Sequence, residues 1–245
     1  VLQLGSASAL GTTAGGTTIS NGGAIDLNGQ DYSSAEALTM TGTGVSSGGA
    51  LFNSSASAAT FGGLISLSTN STSTSIIATV GDINISNTGT ITGVTSRALE
   101  LGGAGNGTMS SILSITGSAS DAVPMLTKSG AGTWTLNASN TLSGGGAATL
   151  ISGGVLKLGN ASALGGSGGN SIRISSGGAI DLNGQNLTFA SPSFTYVSGT
   201  GFNGSGVIFN SSGTTATYGG KLTLESNVQI GGSTGTINFS SLSAT

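Results

Sequence analysis

The nine residues GGAIDLNGQ occur at 22–30 and again, unchanged, at 177–185. Composition does not produce nine identities in a row. Self-similarity at a fixed spacing marks a repeat architecture, in which like residues occupy like positions in successive units. The flanks agree with this. VLQLG at 1–5 matches VLKLG at 155–159, followed in both copies by ASALG at 7–11 and 161–165. FNSS at 52–55 matches 209–212, and ATFGG at 59–63 matches ATYGG at 216–220. The offset drifts from 154 to 157, so small insertions separate the matching blocks. The chain is therefore one continuous body over 1–245, with repeat copy one at 1–154 and a partial copy two at 155–245.

A finer period lies inside the larger one. Thr133-Trp134-Thr135-Leu136, Val155-Leu156-Lys157-Leu158 and Ala179-Ile180-Asp181-Leu182 are similar short segments whose last leucines stand 22 and 24 residues apart. The same pattern returns at 50–52, 64–67, 82–85, 111–115, 221–224 and 236–239. Segments of three to five residues with period-2 alternation, separated by Gly, Asn and Ser, are strands, and the fold is all-β. Ser33 to Met40 is the best helical stretch, and it runs straight into Thr-Gly-Thr-Gly. Strands that recur at one coil length favour a parallel β-solenoid over a sandwich. Coils of about 22–24 residues stack about 4.8 Å apart, and roughly eleven of them give a rod on the order of 50 Å. Alternation predicts that Trp134/Leu136, Leu156/Leu158 and Ile180/Leu182 point inward. Thr135, Lys157 and Asp181 then stack outward as a solvated ladder.

Composition excludes most chemistry. Histidine and cysteine are absent, which removes Ser-His-Asp and Cys-His catalysis, thiolate metal sites and disulfides. The basic residues Arg97, Lys128, Lys157, Arg173 and Lys221 are spread along the chain, so no nucleic-acid footprint exists. Charged residues are only 5%, while Gly (46 residues) and Ser plus Thr (75) make up about half of the 245, a surface kept wet by hydroxyls and amides. No apolar run approaches the ~18 residues of a spanning helix.

The segment KSGAGTWTLNASNTLSGG at 128–145, running on to ISGGVLKLGN at 151–160, resembles the autotransporter-associated β-strand repeat, and 1–11 resembles its tail. The resemblance implies a right-handed parallel β-helix in the passenger region of a secreted, surface-displayed bacterial protein.

Such helices also host carbohydrate-active enzymes, which need clustered carboxylates. Here Asp26, Asp31, Glu36, Asp82, Glu100, Asp121, Asp181 and Glu225 are scattered. Copy two replaces the tightest group, Asp26/Asp31/Glu36, with Asp181/Asn186/Ser191. No catalytic residue and no cofactor is expected. Asp26-Leu27-Asn28-Gly29-Gln30-Asp31 faintly suggests a calcium loop through Asp26, Asn28 and Asp31, although two carboxylates are few for a dedicated site. Trp134 is read as core. Sequons such as Asn53, Asn106 and Asn210 follow from an Asn/Ser/Thr-rich composition.

The expected function is a segment of a long extracellular bacterial surface fibre or adhesin-type solenoid, structural or adhesive, and not an enzyme. The alternatives are a passenger stalk displaying another functional domain and, further off, a carbohydrate-active β-helix. Expected partners are further copies of the unit end to end and host or surface glycans, with no nucleic acid and no membrane span. Both ends fall part-way through a repeat unit, which carries the expectation that the array continues by covalent repeats or by assembly.

Overall fold

A computed structural model of the chain describes residues 1–68, 73–92, 98–116, 124–143, 147–165, 171–189, 193–231 and 233–240. All the strand pairs among the described residues are parallel. Helix among the described residues is confined to two single 3-10 turns, Val45–Ser47 and Phe202–Gly204. The chain is a parallel β-solenoid of three faces, visited in the same order in each coil.

Face one is a ten-stranded sheet running from Leu2–Gln3 to Lys221–Val228. Face two is an eight-stranded sheet that starts at Asp31–Tyr32 and ends at Ile208–Phe209. Face three is built from shorter sheets: Thr17–Ile19, Leu38–Met40 and Ile65–Leu67; then Thr90–Thr92, Ile112–Thr116 and Thr141–Ser143; then Ala216–Tyr218 and Ile237–Phe239. Along face one the register column reads Leu2, Ile25, Leu51, Ile76, Leu101, Lys128, Ile151, Ile174, Val197, Leu224, buried inward from Ile25 to Val197 and exposed at its two end residues. Those nine steps are 23 to 27 residues long and average just under 25. Nine spacings of ~4.8 Å make a rod of about 43 Å. The expected coil of 22–24 residues and count of eleven are corrected to longer coils and about nine turns.

The facing assignment holds. Trp134, Leu136, Leu156, Leu158, Ile180 and Leu182 have no solvent exposure. They are in register as Trp134–Leu156–Ile180 and Leu136–Leu158. Each is worth roughly 1.5–3 kcal/mol of burial. Space for the indole comes from the coil before it, where Gly107 is the register partner of Trp134. A Cβ on Gly107 would lie 2.4 Å from the indole ring, and the indole N–H donates to the Gly102 carbonyl at 3.0 Å.

The two copies do not sit on the same faces. Leu2–Gln3, Ile25–Asp26 and Leu51–Phe52 are consecutive on face one. Their copy-two counterparts, within Gly154–Leu158, Gly178–Asp181 and Ile208–Phe209, are consecutive on face two. From Leu2 to Ile151 the chain makes six face-one steps and then turns one corner to Leu156. The repeat unit is six coils and one third, and copy two is copy one rotated by one face.

Candidate functional site

Of the acids and amides singled out in the sequence, Asp26, Asn28 and Asn53 meet at one corner, and Asp181 and Asn210 at its counterpart in copy two. Asp26 follows inward-facing Ile25, and its carboxylate turns back along the chain. Its Oδ1 accepts from the Asn28 N–H at 2.9 Å and the Ser54 N–H at 3.0 Å; its Oδ2 accepts from the Ser54 hydroxyl at 2.6 Å and the Gln3 amide at 3.1 Å. Asn28 takes φ 49°, a left-handed conformation that Asn tolerates, and its side-chain amide donates to the Leu4 carbonyl at 3.1 Å. Asn53 on the next coil accepts from the N–H groups of Gly29 and Ser55 and donates to the carbonyls of Ser57 and Asp82.

Copy two rebuilds this residue for residue. Asp181 accepts from Asn183 N–H (2.9 Å), Ser211 N–H (2.9 Å) and the Ser211 hydroxyl (2.6 Å), and Asn183 donates to the Leu158 carbonyl at 3.0 Å. Asn210 repeats the four bonds of Asn53. Lys157 replaces Gln3, with its ammonium 3.5 Å from Asp181. The expected solvated ladder is corrected here, because Asp181 is only 3% exposed and Asp26 likewise. The corner turn lays backbone N–H groups over the carboxylate. The Asp-x-Asn sequence was the available signal for such a side-chain-capped turn. At Asp26, burial raises the pKa, but the Ser54 hydroxyl and N–H, the Asn28 N–H and Gln3 outweigh it, and the net shift is downward.

This geometry bears on the calcium candidate Asp26, Asn28 and Asp31. A carboxylate offers about four lone-pair sites, and all four on Asp26 already accept from donors. Asn28 presents its amide nitrogen to Leu4, and Asp31 is exposed. No cluster of three acids stands among the described residues. Glu36 is buried on the interior side, where it accepts from the hydroxyls of Thr17 and Tyr32. Asp121 and Ser191 lie outside the described residues. Asn53 and Asn210 are buried and fully bonded, so their sequons are structural corners, whereas Asn106 is exposed.

Lys128 is a feature that sequence reasoning missed. It occupies the inward register between Leu101 and Ile151 and has no solvent exposure. Its ammonium donates to the carbonyls of Ser129 (2.6 Å), Gly130 (3.0 Å) and Gly153 (3.0 Å). Burial pulls its pKa down from 10.5 to about 8, against the attraction of Glu100. The alternation Leu126-Thr127-Lys128 was the signal that could have found it.

The outer surfaces differ in chemistry. On face three, six coils carry a buried apolar residue flanked by hydroxyl residues, from Thr18-Ile19-Ser20 to Thr141-Leu142-Ser143, and its described strands contain no charge. Face one carries Arg173 stacked over Tyr196 at 4.8 Å and paired with Glu225 at 2.6 Å. On face two the 3-10 loop places Phe202 over an outward apolar patch of Val155, Ala179 and Phe209. Earlier on that face lies an open groove of about 380 Å³, lined by Ala58, Thr60, Asp82, Asn84, Asn106 and Thr108.

Compared with family models, curated proteins and solved structures, the chain matches none.

Proposed function

We propose that this chain is a segment of an extracellular bacterial surface fibre or adhesin-type β-solenoid, a structural and adhesive element of the kind built from autotransporter-associated β-strand repeats. The observation that carries the reading is the repeated corner, where Asp26, Asn28 and Asn53 recur as Asp181, Asn183 and Asn210 with the same bonds. These buried polar groups join one coil to the next, and they are reproduced unit by unit. A chain whose strongest internal constraint is coil-to-coil stacking is suited to spanning distance. Its partners in this reading are further repeats stacked end to end and glycans at the host or bacterial surface, and no reaction is assigned to it.

The test is accessibility on intact bacteria that carry the gene. Antibody against the purified chain should stain unpermeabilised cells, and external protease should remove the signal. Staining that requires lysis would refute the reading.

A further inference from the structure

We propose that the groove on face two is a binding site for neutral glycans, recognising adjacent hydroxyls of a pyranose ring. The proposal deepens the adhesive reading above and rests on it for its biological setting.

The groove spans three successive coils. Thr60, Asn84 and Thr108 are in register as one outward column. Ala58, Asp82 and Asn106 stand two residues earlier on the same coils, so they form a second column about 6.6 Å away, with rows about 4.8 Å apart. A volume of about 380 Å³ lies within the ~300–1,000 Å³ of small-molecule sites.

The bonds already made within the lining fix what it presents. Asp82 Oδ1 accepts from the Asn106 N–H at 2.8 Å and from its side-chain amide at 3.3 Å. Asn106 Oδ1 in turn accepts from the Thr133 N–H at 2.9 Å. The Thr108 hydroxyl donates to Asn84 Oδ1 at 2.6 Å, which sets the orientation of that amide. Three groups then have no partner among the described residues: Asp82 Oδ2, an ionic acceptor; Asn84 Nδ2, a double donor; and the Thr60 hydroxyl.

Asp82 immediately precedes the strand Ile83–Ile85 and Asn84 is its central residue; two apart, they share its outer side. Neighbouring ring hydroxyls each donate and accept, so one can donate to the carboxylate while the next accepts from the amide. Ala58 leaves an apolar step for the C–H face of the ring. The free carboxylate is the only charge in the lining. Lys157, the nearest cation along that column, is three coils from Asn84, or about 14 Å. Uronate and sialate sugars meet an uncompensated negative charge there, which selects for neutral ones.

The test is saturation-transfer NMR on the intact chain with cellobiose, diacetylchitobiose and lactose as neutral probes and digalacturonate as the acidic contrast. At least one neutral disaccharide should bind at millimolar concentration and digalacturonate should not. Asp82→Asn keeps the acceptor that holds Asn106 but replaces the free ionic oxygen, so affinity should fall about tenfold, or about 1.4 kcal/mol. Asn84→Ala should weaken binding similarly, and Thr141→Ala on face three should change nothing. Melting curves of all three variants establish that they fold. Silence from all three neutral sugars overturns the proposal, as does binding that survives both groove variants or digalacturonate binding equally well. Cell-surface staining is independent of these outcomes, so failure of the groove and failure of the surface-fibre reading are told apart.

Discussion

Lys128 gives the solenoid an unusual response to alkali. Below pH 8 its ammonium is charged in both folded and unfolded chains, and the folded state carries the cost of burying it. Its pKa is about 8 in the fold against 10.5 ordinarily. Between those values the folded lysine has released its proton while the unfolded one retains it. Unfolding then takes up a proton, and stability rises with pH by up to about 1.4 kcal/mol per unit. The span corresponds to roughly 3 kcal/mol in total. Tyr32 and Tyr218 are both pushed upward by burial, so the unfolded chain ionises them first and they lower stability as pH reaches the ordinary tyrosine value of about 10. The usable window is therefore pH 8 to 10.

Urea unfolding of the chain at pH 7, 8, 9 and 10, followed by fluorescence of the single buried Trp134, reads this directly. The wild type should gain about 1.3 kcal/mol from pH 8 to 10, about 2 from Lys128 less about 0.4 for each buried tyrosine. Lys128→Met should abolish that slope. The methionine suits a column between Leu101 and Ile151, but it leaves three carbonyls without their ammonium donor. Those opposing terms make its effect at pH 7 a poor test, whereas the slope isolates the titration. A wild type with flat stability over this window, or a slope that persists in Lys128→Met, refutes the assignment.

Leu158→Asp should cost several kcal/mol, because it places an unpaired charge in the core. Lys157→Ser should change stability by less than about 1 kcal/mol, since its partially exposed pair with Asp181 is weak; thermal melts in the reverse order would invert the faces. Gly107→Ala should destabilise by about 1–3 kcal/mol through overpacking against Trp134, and Trp134→Leu in the same chain should recover part of the loss; additive losses would show that the two do not share one space. Chelator or added calcium should leave the melting temperature unchanged, because the lone pairs of Asp26 are already engaged; a calcium-dependent rise abolished by Asp26→Asn would establish the loop as a metal site.

Strand positions and their facing were legible because period-2 alternation is a local property. Trp134, Leu156 and Ile180 could be placed inward from a handful of neighbours each. Coil length was harder. The three segments ending at Leu136, Leu158 and Leu182 sample tight corners, whereas the Ile25-to-Leu51 step of 26 residues carries the Val45–Ser47 loop. The 27-residue step from Val197 to Leu224 likewise carries Phe202–Gly204. Loops on the outside of a solenoid lengthen a coil without disturbing its inward pattern, so period alone underestimates it. The burial of Asp181 was hidden for a different reason. Parity puts its Cβ outward, but exposure is decided by Ser211 on the following coil, a contact across 30 residues.

The one-third rotation between copies explains how a unit of about 155 residues can repeat without matching a whole number of coils. A segment in a parallel solenoid is held chiefly by the coils immediately before and after it. Asp26 touches Gln3 and Ser54, while Asp181 touches Lys157 and Ser211; both sets travel with their copy. The face is therefore not encoded at the corner, and only the neighbours are. The core must accept either placement, and its inward residues, apolar on all three sides apart from a few such as Glu36 and Lys128, do so. One consequence is directional. Features that protrude from a copy, such as the Val45–Ser47 and Phe202–Gly204 loops, are displayed one face apart and about six coils further along the rod. Within this chain the corner and its loop are thereby presented in two directions one face apart, on face one in copy one and on face two in copy two.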